Sequence, residues 1–143
     1  MANIVLLGAG STAFSIELLK DISTLPSLDG SVLSLVDIDP KRLAMAETLV
    51  KRYSREMKMN LEVNAYTDRL QALAGAEYVI CAVKIGGYEP LEMERVVAEE
   101  HGYYRGIGDR VSCYYGGIGA FKQIRFLEEL AADMSGLCPD AWL

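Results

Sequence analysis

Short apolar runs alternate with longer segments of helical periodicity along most of the chain. Four of these runs predict β-strands, at residues 3–7, 32–36, 61–66 and 78–83, and Trp142 begins a fifth. Runs of this length and composition are typical of strands in a parallel sheet that is covered on both faces. In the third run apolar and polar residues alternate, which is also a strand pattern.

The segments between these runs predict helices, because apolar residues recur there at intervals of three or four. The first helix has an apolar stripe formed by Phe14, Leu18, Ile22 and Leu25, and Pro26 ends the segment. The second helix has an apolar stripe formed by Leu43, Ala46, Val50, Tyr53 and Met57.

Local signals at the helix ends support these boundaries. Asp39 is the predicted N-cap of the second helix, and Pro40 fits its first position. Asp68 is the predicted cap of a short third helix through Leu73, which Gly75 ends. Two more helices are predicted, one from Pro90 to about Glu100 and one from Ile118 to Met134, with an irregular loop rich in Gly and Tyr over residues 102–117.

The alternation of strands and helices predicts an α/β fold of the doubly wound, Rossmann-like type, with a mainly parallel sheet and right-handed crossovers. A length of 143 residues favours one domain, spanning residues 1–143. The last residues, 140–143, resemble the start of a strand. We therefore expect an incomplete sheet and a sequence that is a piece of a longer protein.

A glycine-rich turn follows the first strand. Residues 8–13, Gly-Ala-Gly-Ser-Thr-Ala, match the pattern G-x-G-x-x-G/A between a strand and a helix, which predicts a dinucleotide site. Gly8 permits the tight turn, Gly10 lets a pyrophosphate approach the backbone, and Ala13 is small enough for the helix to pack closely on the sheet. The alternative is a glycine turn without a ligand.

An acidic residue lies where the second strand ends. Asp37 is placed to accept hydrogen bonds from the adenosine ribose and to repel a 2′-phosphate, so NAD is preferred over NADP, while nearby Arg42 weakens that preference. The predicted cofactor-binding residues are therefore Gly8, Gly10, Ser11, Thr12, Ala13, Asp37, Ile38, Arg42, Val83, Gly86 and Gly87. Gly86 and Gly87 follow the fourth strand, where the alternative is an ordinary loop break.

Charge and cysteine content exclude several other classes. A net charge of -6 disfavours a nucleic-acid surface. Cys81, Cys113 and Cys138 are widely spaced and His101 is the only histidine, so neither a disulfide framework nor a structural zinc site is expected. We expect a reduced, cytoplasmic compartment, with no signal peptide and no membrane span.

Several segments resemble glycoside hydrolase family 4, the NAD- and manganese-dependent glycosidases, and within it the α-glucosidase and α-galactosidase branch. The segments that carry the resemblance are GAGSTAFS at 8–15, VDIDPKRL at 36–43, HGYYRGIG at 101–108, YYGGIG at 114–119 and LCPDAWL at 137–143. They cover the whole chain in the family's order, so the resemblance implies the N-terminal Rossmann-like part of such an enzyme.

The resemblance implies hydrolysis of an α-glycoside by an unusual route. NAD oxidises C3 of the sugar, the aglycone leaves by elimination after loss of the C2 proton, water adds, and C3 is reduced again. The family's metal ligands and acid/base residues have no match here. We expect the catalytic residues beyond residue 143, no metal ligand in this chain, Mn²⁺ only in the full-length enzyme, and no activity from the fragment alone.

The resemblance also implies a loop from Tyr103 to Gly119 over the cofactor, with side chains that bind sugar hydroxyls. The candidates for binding substrate are Arg105, Asp109, Cys113 and Tyr114, together with Arg110 and Tyr115. Each of them has an alternative role in the loop or the core. Cys113 stands where some α-glucosidase relatives have Asp, and a buried, unreactive thiol is the other interpretation.

Two other functions stay open from the sequence: a hydroxy-acid dehydrogenase of the lactate/malate type, and a non-catalytic NAD-binding module. No Arg-rich substrate loop follows the fourth strand, which disfavours the dehydrogenase. An open sheet edge and uncovered apolar surface also predict self-association into a homo-oligomer.

Overall fold

A computed structural model describes residues 1–87, 89–104 and 117–143, without the side chains of residues 90, 91 and 117–120. Residues 1–83 together with 133–143 form one compact unit, and residues 84–132 form another. The single domain expected over residues 1–143 stays a prediction. The first unit contains the sheet.

The elements of the first unit follow the predicted order. They are β1 (Asn3–Leu7), α1 (Thr12–Thr24), a 3₁₀ turn (Pro26–Leu28), β2 (Val32–Val36), α2 (Pro40–Glu56), β3 (Glu62–Tyr66), α3 (Arg69–Leu73) and β4 (Tyr78–Cys81). The second unit contains α4 (Glu89–Glu100) and most of α5 (Gly117–Leu137), whose last turn belongs to the first unit. Among the described residues, the predicted alternation of strands and helices is confirmed.

The sheet has the order β3-β2-β1-β4, and every pair of neighbouring strands is parallel. The chain leaves β3 at one edge and returns to the far side of β1, so the strand order reverses between β1 and β4. In open α/β sheets, ligands bind beyond the carboxyl ends of the strands at such a reversal. The glycine-rich turn follows β1 directly and so lies at the carboxyl ends of the strands, next to this reversal.

Trp142 extends the sheet beyond β4, as predicted. Its N–H donates to the Glu77 carbonyl at 3.0 Å, and its carbonyl accepts from the Val79 N–H at 2.7 Å. The pairing with Tyr78 is an isolated parallel bridge. The sheet therefore gains a fifth position next to β4 in the expected direction.

Apolar side chains on both faces of the sheet are buried in the first unit. One face forms a core with α1 and α2, built from Ile4, Leu6, Leu33, Leu35, Val63, Leu19, Ile22, Leu43 and Val50. Alternate strand positions point to the other face, where Val5, Leu7 and Val36 are also buried. Burial on both faces explains why the strands of a parallel sheet consist of nearly continuous apolar runs.

Several boundaries and one stripe differ from the sequence predictions. The buried side of α1 is Ser15, Leu19 and Ile22, whereas Phe14 is 42% exposed and Leu25 is 49% exposed. Helical spacing fits both sets of residues, and the buried set was not predicted because Ser15 is polar. The strand β4 ends at Cys81, two residues early, and α2 ends before Met57, which is 53% exposed.

Candidate functional site

The turn between β1 and α1 requires glycine at its first position. Gly8 has φ +85, and a Cβ there would lie 2.7 Å from the carbonyl oxygen of Ala82. The N–H groups of Gly8 and Ala9 both donate to the carbonyl of Val36, at 2.9 and 3.0 Å. The backbone of the turn is therefore bonded to the carboxyl end of β2 and lies against Ala82 after β4, so a side chain at position 8 would collide with Ala82.

Gly10 and Asp37 form the second fixed point of the turn. The Gly10 N–H donates to Oδ2 of Asp37 at 2.8 Å, and the Asp39 N–H donates to Oδ1 of the same carboxylate at 2.9 Å. A Cβ on Gly10 would lie 2.5 Å from Asp37 Oδ2. Position 10 lacks a side chain for a reason that the motif alone did not reveal, since the carboxylate from β2 occupies that space.

The N-terminus of α1 has no side-chain cap, unlike the N-termini of α2 and α3. Asp39 accepts from the N–H groups of Lys41 and Arg42, and Asp68 accepts from Leu70, but Ser11 makes no such bond. In the described part of the chain, no acceptor meets the N–H groups of the first three residues of α1, 12–14. Unpaired N–H groups and the helix dipole make such an end attractive to anions.

Ser15 stabilises the turn from inside the protein. Its hydroxyl is buried and donates to the carbonyl of Ala9 at 2.9 Å. Ala13, in contrast, is exposed. The close packing of helix on sheet that the motif predicted at Ala13 is wrong for this chain, because the helix turns Ser15 and Leu19 towards the sheet instead. A cofactor contact at Ala13 stays a prediction, as it does for exposed Ser11 and half-buried Thr12.

Beyond Asp37, the chain presents one apolar and one cationic side chain to solvent. Ile38 is 92% exposed, an unusual position for a large aliphatic residue. The side chain of Arg42 is 71% exposed, and its Nε lies 3.7 Å from Asp39 Oδ2. Ile38 directly follows Asp37 in the sequence, and Arg42 adjoins the turn in space, since its Cβ lies 2.9 Å from a Cβ built on Gly10.

The remaining predicted cofactor-binding residues follow β4 and are Val83, Gly86 and Gly87. Val83 is half-buried in the first unit, and its Cγ2 lies 3.2 Å from a Cβ built on Gly8. Gly86 and Gly87 belong to the second unit, are exposed, and have φ +85 and +70. Glycine is thus required there for the backbone itself, which leaves their cofactor role a prediction.

The predicted substrate residues lie outside the described residues. They are Arg105, Asp109, Arg110, Cys113, Tyr114 and Tyr115. Within the described ranges, no group of three or more His, Cys, Asp or Glu side chains is placed to hold a metal ion. In the same ranges, no helix combines the length and apolar character needed to cross a bilayer.

Comparison with known proteins identifies the family of this chain. The model of the family described as "Family 4 glycosyl hydrolase" matches residues 3–143. An α-galactosidase of Bacillus subtilis (strain 168) is 36% identical over 144 residues, covering 99% of this chain and 33% of the relative. An α-glucosidase of Erwinia rhapontici is 34% identical over 98% of this chain and 31% of its own length. The chain thus spans about a third of these relatives.

The fold is also similar to that of a solved structure. A 6-phospho-α-glucosidase from gut microorganisms, crystallised in complex with NAD and Mn²⁺, superposes with a TM-score of 0.78 at 21% identity. The match covers 99% of this chain and 32% of that one. The predicted Rossmann-like α/β architecture is therefore confirmed.

Proposed function

Because the chain belongs to family 4 of the glycosyl hydrolases, we propose that it is the NAD-binding portion of an enzyme that hydrolyses α-glycosides. The observation that carries this proposal is the uncapped N-terminus of α1, which lies directly after a turn held to Asp37. A side-chain cap would occupy N–H groups that an anion needs. The first turn of α1 has no such cap.

The diphosphate of NAD fits the first turn of α1. The N–H groups of residues 12–14 lack acceptors in the described part of the chain, and a diphosphate oxygen would supply them. The side chain of Ser11 is exposed beside this end, where its hydroxyl can donate to a phosphate oxygen. These groups would bind through hydrogen bonds and the helix dipole, in a chain whose net charge is -6.

Asp37 retains capacity for the adenosine ribose. Each of its oxygens accepts one backbone N–H bond, whereas a carboxylate offers about four acceptor positions in all. Two ribose hydroxyls can therefore donate to a carboxylate that the turn already holds in place. The exposed side chain of Ile38 follows directly and offers an apolar contact for the adenine ring.

In this proposal the chain positions the cofactor, and residues outside these 143 carry the acid/base chemistry. Bound NAD would accept a hydride from C3 of the sugar and return it at the end of each turnover. The described residues lack a ligand set for Mn²⁺, so no step is assigned to a metal here. Arg105, Asp109, Cys113 and Tyr114 remain proposed contacts to the sugar.

Calorimetric titration with NAD tests the proposal, with Asp37→Ala as the main variant. We expect the unchanged chain to bind NAD, and Asp37→Ala to weaken binding by about 10- to 100-fold, since hydrogen bonds to charged groups contribute roughly 1.5–3 kcal/mol. Asp68→Ala is the matched control, because it removes an aspartate that caps α3 and leaves the turn intact. Equal NAD affinity of the two variants would contradict the proposed site.

The same preparation separates binding from catalysis. We expect no release of nitrophenol from a nitrophenyl α-galactoside, with or without Mn²⁺ and NAD. Detectable hydrolysis by the 143-residue chain would show that the chemistry does not require residues outside it.

A further inference from the structure

A second carboxylate, that of Asp39, shares the end of β2 with Asp37. The backbone N–H of Asp39 donates to Asp37 Oδ1 at 2.9 Å, so the two residues are held within one turn. Asp39 is half-buried and caps α2 through Oδ1, which accepts from Lys41 and Arg42 at 2.9 and 3.2 Å. The corner that would receive the adenosine ribose therefore has two negative charges.

Arg42 is a cation that the structure places beside this corner. Its Cβ is next to Gly10, and its Nε lies 3.7 Å from Asp39 Oδ2. Asp39 thus contacts Arg42 twice, by accepting its backbone N–H at 3.2 Å and by a longer ion pair with its guanidinium. A guanidinium drawn towards Asp39 is partly neutralised, which reduces what it can offer to a phosphate on the ribose.

We propose that Asp39 is a specificity-determining residue that, together with Asp37, excludes cofactors with a 2′-phosphate. It acts through its own charge, which repels the phosphate, and by pairing with Arg42, which partly neutralises the guanidinium. The inference rests on the proposed NAD site and adds a residue to it. It follows that replacing Asp37 alone leaves part of the preference for NAD, because the second carboxylate persists.

Asparagine and serine at position 39 test this charge without removing the cap. Both side chains are good N-cap acceptors, so Asp39→Asn and Asp39→Ser should leave α2 in place, as far-UV circular dichroism can verify. The measured quantity is the ratio of the dissociation constants for NADP and NAD. We expect both variants to lower this ratio by about tenfold, which is ~1.4 kcal/mol.

Three controls separate a charge effect from a structural one. Asp68→Asn makes the same change at the cap of α3 and should not move the ratio. Adding Arg42→Ala to Asp39→Asn should remove part of the gain in NADP affinity. The double variant lacks the guanidinium that, without its Asp39 partner, could bind the 2′-phosphate. Raising the salt concentration from about 0.05 to 0.5 M should shrink the gain, because exposed charges are screened over distances longer than the Debye length.

The outcomes distinguish this inference from the proposed function. If the unchanged chain binds NAD and the ratio stays the same in both Asp39 variants, the role of Asp39 is wrong while the NAD site stands. If the Asp68 variant shifts the ratio equally, the net charge of the chain and not a carboxylate beside the ribose is the cause, and the inference also fails. If the unchanged chain binds neither nucleotide, the proposed function fails and the inference fails with it.

Discussion

The Gly10→Ala substitution would add one methyl group at a crowded point of the β1–α1 turn. The new Cβ would lie 2.5 Å from Asp37 Oδ2, and 2.9 Å from both Asp37 Cγ and Arg42 Cβ. The φ of Gly10 is outside the left-handed region, so the backbone conformation itself accepts alanine. The effect of the substitution therefore comes from displacing neighbours.

The magnitude follows from what must move. Asp37 has to rotate away, which breaks its 2.8 Å bond from the Gly10 N–H, and a bond to a charged acceptor contributes roughly 1.5–3 kcal/mol. The Cβ of Arg42 is close to the backbone and gives way less easily, and crowding of this kind costs about 1–3 kcal/mol. Alanine also lowers the conformational entropy of the unfolded chain, which offsets about 0.4–1 kcal/mol of this loss of stability. We expect a net loss of roughly 2–5 kcal/mol in the free energy of unfolding, a large share of the ~5–15 kcal/mol of a typical domain.

Urea unfolding followed by far-UV circular dichroism measures this loss. Gly136→Ala is the control, because that glycine is helical, has nothing within 4 Å of a built Cβ, and should become neutral or slightly more stable. We also expect NAD affinity to fall by more than about tenfold in Gly10→Ala, since Asp37 leaves its position. Unfolding curves that coincide for Gly10→Ala and the unchanged chain would refute the collision with Asp37.

Three other features give separate predictions. The half-buried pair of Arg69 and Asp133, with Nη2 and Oδ2 2.6 Å apart, should show a coupling energy of about 1–2 kcal/mol in a double-mutant cycle of urea unfolding, and a value near zero would mean that the pair adds nothing. Burial raises the pKa of the Cys138 thiol, so in a Cys113→Ser background it should react with Ellman's reagent at least about tenfold more slowly than Cys81 at pH 8; equal rates before denaturation would contradict this. Finally, we expect a concentration-dependent rise in sedimentation coefficient, whereas a monomer at every concentration would count against self-association.

Signals confined to neighbouring residues predicted much of the fold. The caps of α2 and α3 follow from Asp39-Pro40 and from Asp68, because capping depends on contacts two or three residues along the chain. The parallel sheet follows from apolar strands separated by helices, including the start of a strand at Trp142.

The parts that the sequence did not reveal depend on residues distant along the chain. Asp37 reaches the N–H of Gly10 from 27 positions away, and the oxygen that excludes a side chain at Gly8 belongs to Ala82. The motif predicted glycine at both positions but attributed the need at position 10 to the ligand alone. The stripe of α1 was misplaced for a similar reason, since the hydroxyl of Ser15 gains a buried acceptor only after the turn has formed.

The position of Trp142 determines what intrinsic fluorescence can report. It is the only tryptophan in the sequence, and the residue is 75% exposed although its backbone is bonded to Glu77 and Val79. Its emission in the native chain should therefore already resemble that of indole in water, and unfolding should change the spectrum little. Any molecule or polypeptide that covers the outer side of β4 should instead shift the emission to the blue, so the residue serves as an optical sensor for occupancy of that edge.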